Sequence, residues 1–279
     1  MNIDLHLHSI ESDGSHSPDI VVNIAKDKGV KILSLTDHDT TSGILEAKKA
    51  AQKLSLTLID GIEIQADINK YKYEHILAYN VQDYVKMNHF LEKVRQERLD
   101  IIYGYIKQFH SIGFPIDLEN IDSTTPGKHL TIWNIAKYLA SIMPESTGRD
   151  VYNLYLSPDS KYHIPLIYHY YDEVIKLIKD CGGIAVLAHP FRYNSNGLIN
   201  PNELSSHIKM LKEVGLDGIE SYYGIHNTNQ ISICNSFAIQ YDLIETGGSD
   251  WHGWEDKADI GVKMPEKDIY NFLKSTKII

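Results

Sequence analysis

Short runs rich in Ile, Leu and Val alternate along this chain with longer stretches whose apolar residues recur at helical spacing. In the first run, residues 3–8, a strand period of two puts Ile3, Leu5 and Leu7 on one face and Asp4, His6 and His8 on the other. A turn-rich loop over residues 9–15 leads to Ser17-Pro18, an N-cap followed by proline at the first helical position. Val21, Val22, Ile24 and Ala25 give that helix its apolar stripe, and Gly29 ends it. Ile32-Leu33-Ser34-Leu35 is the second strand and runs into Thr36-Asp37-His38-Asp39-Thr40. A helix over residues 43–54, a strand over Leu56-Thr57-Leu58-Ile59, the segment Gly61-Ile62-Glu63-Ile64 and a strand around His75-Ile76-Leu77-Ala78 continue the alternation. Strands interleaved with helices predict a parallel sheet, open or closed into a barrel, whose strand C-terminal ends gather the functional groups.

Between residues 81 and 168 this rhythm breaks. A long helix is predicted over residues 88–109, with Leu91, Val94, Ile101, Ile102, Tyr105 and Phe109 near helical spacing, and a second over residues 131–142. Residues 81–168 therefore read as a helical insertion and a candidate substrate cap, with residues 1–80 and 169–279 forming the α/β body. The alternation resumes with a helix over residues 172–179, a strand over residues 184–188 delivering His189-Pro190, and a helix over residues 202–214. A strand over residues 217–221, a helix over residues 229–241 and a strand over residues 243–246 delivering Gly247-Gly248-Ser249-Asp250-Trp251-His252 complete about seven strand–helix units.

A chain of 279 residues with 43% hydrophobic and 23% charged content suits one large α/β domain, or one domain carrying an insertion. No apolar run reaches the length of a membrane span, the N-terminus lacks the basic-then-apolar pattern of a secretory signal, and Cys181 and Cys234 are too few for a disulfide framework. The expectation is a cytoplasmic protein. A net charge of −10 speaks against coating nucleic acid through a basic surface, and leaves room for a small phosphorylated substrate.

The polar row on the first strand changes meaning when the other strand ends are added. His6, His8, Asp13, His38, Glu63, His75, His189, Asp250 and His252 stand at or just beyond six predicted strands. One His or Asp at a strand end is usually a satisfied polar group or a helix cap. Recurrence around a whole sheet points to metal ligands, because buried charges in a row need neutralising and a divalent cation does so directly. Imidazole and carboxylate without thiolate suit Zn, Mn or Fe(II) at hydrolytic sites. Nine ligands are too many for one ion and suit two or three. No Gly-x-Ser-x-Gly elbow and no Gly-x-x-x-x-Gly-Lys phosphate loop occurs.

Asp4-Leu5-His6-Leu7-His8-Ser9, Ser12-Asp13-Gly14, Thr36-Asp37-His38-Asp39-Thr40, Gly61-Ile62-Glu63-Ile64, His75-Ile76-Leu77, Ala188-His189-Pro190 and Gly248-Ser249-Asp250-Trp251-His252 together resemble the polymerase-and-histidinol-phosphatase (PHP) family of metal-dependent phosphoesterases. The resemblance implies a distorted seven-stranded TIM-like (β/α) barrel with a trinuclear centre at its C-terminal face. It implies one ion held by His6, His8, Glu63 and Asp250, a second by Glu63, His75 and His189, and a third by Asp13, His38 and His252. It further implies attack on phosphorus by a hydroxide bridging two ions, with Arg192 gripping the non-bridging oxygens and His129, or else His252, protonating the leaving oxygen. Ala188-His189-Pro190-Phe191-Arg192-Tyr193 resembles the branch that removes phosphate from small nucleotides such as nucleoside 3′,5′-bisphosphates or AMP, or that shortens RNA from its 5′ end. Where that branch has Arg-Pro-His in its insertion, this chain has Gly127-Lys128-His129.

The expected function is hydrolysis of a phosphate monoester of a small nucleotide. The alternatives are a 5′-3′ exoribonuclease on short oligonucleotides, a histidinol-phosphate phosphatase and a non-catalytic PHP module. Asp4 is expected to orient an imidazole from the second layer, Glu220 to do the same or to end its strand as a satisfied carboxylate, and Asp37 and Asp39 to hold the loop around His38.

Overall fold

The computed structural model describes residues 1–69, 72–122, 128–143, 146–165, 167, 169–192, 200–254 and 258–277. The chain forms two compact units, Met1–His89 with Tyr168–Ile279, and Phe90–Ile167.

The first unit is a distorted (β/α) barrel. Its strands are β1 (Asn2–Leu7), β2 (Ile32–Leu35), β3 (Thr57–Asn69), β4 (Lys72–Tyr79), β5 (Ile184–Leu187), β6 (Gly218–Tyr223), β7 (Ile244–Gly248) and the two-residue β8 (Val262–Lys263). They lie in the order β7-β6-β5-β4-β3-β2-β1-β8. Just past β7 the chain returns to β1: the Asp250 N–H donates to the His6 carbonyl at 2.9 Å and the His8 N–H to the Trp251 carbonyl at 3.0 Å. β8 runs antiparallel to the start of β1 and fills the rest of the seam. Around the wall stand α1 (Pro18–Asp27), α2 (Ile44–Lys53), the start of α3 (Tyr84–Ser111), α7 (Tyr171–Asp180), α8 (Pro201–Glu213), α9 (Thr228–Tyr241) and α10 (Glu266–Ser275). Among the described residues no helix is long and apolar enough to cross a membrane.

Two features depart from the expected parallel, regularly alternating sheet. β3 continues through Gly61 to Asn69 and turns directly into β4, which runs antiparallel to both β3 and β5. A parallel crossover needs about a dozen residues or more, so a connection this short can only make a hairpin. Because β4 points the other way, His75 near its start lies at the same rim as the ends of the parallel strands.

The second departure lies in β1, whose register against β2 shifts between Asp4 and Leu7. Ile3 and Leu5 pack inside the barrel with Ile59, Leu77, Tyr79 and Val186, sealed from below by Ile269 and Phe272 of α10. Leu7 packs outside, with Val21, Val22 and Ala47 beneath α1 and α2. The shift interrupts the period of two, as an extra residue in a strand must. Asp4 thereby falls on the side opposite the two histidines.

In the second unit, after the later turns of α3, come α4 (Leu118–Asp122), α5 (Ile132–Ile142), α6 (Gly148–Val151) and a π-helical turn at Tyr152–Leu156. Ile102, Tyr105, Phe109, Ile121, Ile135, Leu139 and Leu156 form its core. Thr131 caps α5 and Thr147 caps α6, each in a reciprocal box with the residue three positions on.

Candidate metal centre

Glu63 is the middle of the site. It is fully buried on β3, and five imidazoles converge on its two oxygens. Oε2 lies 3.2 Å from His6 Nε2, 3.1 Å from His8 Nε2 and 3.2 Å from His38 Nδ1, while Oε1 lies 2.6 Å from His75 Nδ1 and 3.0 Å from His189 Nε2. Asp250 Oδ1 approaches the Nε2 atoms of His6 and His8 at 3.4 and 3.2 Å.

Four of these atoms decide what the site is built for. His6 Nε2, His8 Nε2, Glu63 Oε2 and Asp250 Oδ1 are all buried and form no hydrogen bond. As one ligand atom per residue, they lie within 4.8 Å of one another. The two imidazoles meet the two carboxylate oxygens at 3.1–3.4 Å, as ion-pair contacts without hydrogen-bond geometry. Two imidazole nitrogens and two carboxylate oxygens are a donor set that fits a divalent cation. Two further groups share members with the first: His38, Glu63 and His75, and His8, Asp13, His38 and His252. This grouping differs from the one the resemblance implies, since His38 stands with Glu63 and His75 while His8 joins Asp13. His189 faces Glu63 Oε1 without belonging to any of the three groups.

The side chains of the site set one another's charge. Burial disfavours a charged His6, but the fields of Glu63, Glu220 and Asp250 prevail and hold it well above the usual imidazole value. His8, likewise buried, is raised to about 10 by Asp250 and Glu63. For His38 and His189 burial prevails and lowers them to about 3 and about 4. Burial also works against ionised Glu63 and Asp250, yet the surrounding imidazoles, and for Asp250 Arg192 as well, keep both well below the carboxylate range.

Neighbouring polar groups fix the ligands in place. Asp37 accepts from the Ser9 N–H at 2.7 Å, from Ser9 Oγ at 2.7 Å and from Ser12 Oγ at 2.6 Å, and so ties down the loop that carries Asp13. His252 Nδ1 donates to the Asp250 carbonyl at 2.8 Å, leaving Nε2 3.3 Å from Asp13 Oδ1. Asp250 has φ 59° and His189 φ 26°, conformations that persist in non-glycine residues only when the surroundings impose them. Glu220 places Oε1 3.0 Å from His6 Nδ1 and accepts the His189 N–H with Oε2 at 2.8 Å.

Asp4 does not play the part expected of it. Its Oδ1 accepts the Ser249 N–H at 2.9 Å, and its Oδ2 accepts from Ser249 Oγ at 2.6 Å and the Gly261 N–H at 2.7 Å. The register shift in β1 turns it away from the imidazoles; it meets His6 only through the backbone N–H, which donates to Oδ1 at 3.3 Å, and otherwise holds the chain leaving β7.

Arg192 is hydrogen-bonded through NH1 to Asp250 Oδ2, which also accepts from the Tyr223 hydroxyl at 3.0 Å. Tyr223 carries no ligand-type group and was not legible as a site residue. Its one signal was its place at the end of β6, the single long wall strand from which no ligand was read. His129 belongs to the second unit, where its Nδ1 lies 3.2 Å from Arg98 NH1. Gly127 and Tyr193 lie outside the described residues.

The family model of the PHP domain matches residues 4–218. A 5′-3′ exoribonuclease of Haemophilus influenzae is 31% identical over 257 residues, 90% of this chain and 91% of that protein. A phosphoribosyl 1,2-cyclic phosphate 1,2-diphosphodiesterase of Eggerthella lenta is 28% identical over 256 residues, covering 90% and 94%. A 3′,5′-nucleoside bisphosphate phosphatase of Chromobacterium violaceum is 26% identical over 270 residues, covering 93% and 90%.

Proposed function

This chain belongs to the PHP family, and we propose that within that family's metal-dependent phosphoester hydrolysis it removes phosphate from a small nucleotide such as a nucleoside 3′,5′-bisphosphate or AMP. The observation that carries the reading is the set of four buried atoms on His6, His8, Glu63 and Asp250, which face one another without hydrogen bonds. On this reading those residues hold one ion, Glu63 and His75 with His38 or His189 a second, and Asp13, His38 and His252, beside His8, a third. Bound Mn, Fe or Zn would supply a water of lowered pKa, about 7 for zinc, and neutralise charge on the phosphoryl oxygens.

The protein's own groups do the rest. Glu63 sets the spacing of the imidazoles around it. Arg192 keeps 41% of its side chain accessible while NH1 bonds Asp250, and a guanidinium has five N–H donors, so it can hold that carboxylate and meet a phosphate oxygen together. The net charge of −10 favours a small substrate over a long polyanion.

A second reading, a 5′-3′ exoribonuclease on short oligonucleotides, draws support from the Haemophilus influenzae relative, whose 31% identity exceeds the 26% of the bisphosphate phosphatase. The test is a panel with added Mn(II): adenosine 3′,5′-bisphosphate, AMP, histidinol phosphate, a ribose 1,2-cyclic phosphate and a 5′-phosphorylated trinucleotide. The bisphosphate or AMP is expected to give the highest kcat/KM. A preference of about tenfold or more, or ~1.4 kcal/mol, for the trinucleotide or the cyclic diester overturns the monoester reading.

A further inference from the structure

The geometry points to Glu220 as the residue that couples His6 to His189, so that metal held through one depends on the other; this rests on the metal-dependent reading above. Glu220 is fully buried on β6, and both of its oxygens are committed. Oε1 lies 3.0 Å from His6 Nδ1. Accepting a proton from that atom fixes the tautomer and leaves the Nε2 lone pair facing Glu63 and Asp250. Oε2 accepts the backbone N–H of His189 at 2.8 Å, and that residue has φ 26°.

The two histidines then meet opposite oxygens of a second carboxylate, His6 Nε2 at 3.2 Å from Glu63 Oε2 and His189 Nε2 at 3.0 Å from Glu63 Oε1. Glu220, His6, Glu63 and His189 form a closed ring joining β6, β1, β3 and the second residue after β5. Two acceptors facing two donors is an arrangement that a carboxylate provides and an amide does not. In Glu220→Gln the NH2 group must face either the His6 Nδ1–H or the His189 N–H. Either the imidazole turns or the strained backbone of His189 loses its restraint.

The test reads metal uptake rather than turnover. Chelator-stripped wild type, Glu220→Gln and Thr246→Val are dialysed against graded free Mn(II), and metal per chain is measured by elemental analysis. Thr246 is the buried register partner of Glu220 on β7, so its variant controls for general disturbance of these strands. Circular dichroism checks that each protein is folded. Glu220→Gln is expected to move the uptake of the ions held through His6 and His189 together to about 10–100-fold higher Mn(II), and Thr246→Val to leave the curve in place.

An unmoved curve for folded Glu220→Gln overturns the proposal and leaves the metal-dependent reading standing. Movement of one step alone overturns the coupling, and an equal shift for Thr246→Val overturns the specific role. A wild type that takes up no Mn(II) overturns the reading beneath. If Glu220→Gln does not fold, the wild type decides: in Zn(II)-loaded, 15N-labelled protein the His6 proton is expected on Nδ1, and its absence there overturns the proposal.

Discussion

Gly248→Ala tests whether the spacing of β1 and β7 sets the geometry of the site. A Cβ at position 248 would stand 2.3 Å from the Cβ and 2.6 Å from the backbone N of His6. Non-bonded carbons settle at roughly 3.5–4.0 Å, so the strands must part by about 1 Å or more. Neither atom can swing aside, because both belong to the rigid frame of β1. Parting the strands stretches the bond from the Asp250 N–H to the His6 carbonyl, now 2.9 Å, and carries Asp250 Oδ1 away from the imidazoles.

A displacement of about 1 Å in a catalytic arrangement costs on the order of 100-fold, and overpacking a core about 1–3 kcal/mol. With an aryl phosphate and saturating Mn(II), kcat/KM of Gly248→Ala is expected to fall about 100-fold, with unfolding free energy in urea down by about 1–3 kcal/mol. Gly29→Ala is the companion. Gly29 has φ 77° with nothing within 4 Å of an added Cβ, so the change is expected to cost stability alone, about 1–2 kcal/mol. If folded Gly248→Ala keeps kcat/KM within a few-fold of wild type, the close approach of the two strands does not set the ligand geometry.

His8→Ala removes one of the four buried atoms that form no hydrogen bond, and aryl phosphate hydrolysis is expected to fall by more than about 100-fold, beyond what loss of a supporting residue alone produces. Activity within a few-fold of wild type contradicts a ligand role. Tyr223→Phe deletes only the hydroxyl that donates to Asp250 Oδ2 at 3.0 Å, and Mn(II) affinity read by equilibrium dialysis is expected to drop about tenfold with the fold intact. Metal-free protein is expected to lose stability as the pH rises from 7 towards 10, read as a falling urea midpoint. His6 and His8 are raised, His8 to about 10, so the stability they contribute is full below the unfolded value near ~6.5 and lost as pH climbs through the folded value. His38 and His189, lowered to about 3 and about 4, are neutral in both states above ~6.5 and do not oppose this trend. Metal displaces the protons of His6 and His8, so the loaded protein is expected to show a flatter profile, and identical slopes count against a site at these residues.

Sequence patterns gave the parts of the fold that local chemistry specifies. Ser17-Pro18 and Gly29 bracket α1, found at Pro18–Asp27: Pro18 takes the first helical position and Gly29 the left-handed one past the end, while the Ser17 hydroxyl donates to Asp19 rather than capping a backbone N–H. The direction of β4 was missed, since a period of two reads the same both ways. The short interval between Asn69 and Lys72 was the available signal, hidden by ending the preceding strand at Ile59. The register shift in β1 depends on its partners, and β8 is a strand only because β1 lies beside it. Ligand-type residues announced themselves by chemistry at strand ends. Glu220 was legible as a carboxylate able to orient an imidazole, though not which one, and Tyr223 was not legible, because their partners are atoms contributed by β1, by the second residue after β5 and by the chain beyond β7.

The position of Asp4 governs the order in which this protein can assemble during synthesis. Its partners Ser249 and Gly261 are 245 and 257 residues away along the chain. At about 5–20 residues per second, the ribosome delivers them many seconds after β1 has emerged. Until then His6 and His8 sit on a strand with no closing partner, and Asp4 must remain solvated or be held in some other contact. The first strand made is among the last to be locked, so a nascent chain cannot gather the four converging atoms of its centre before the barrel wall is nearly complete.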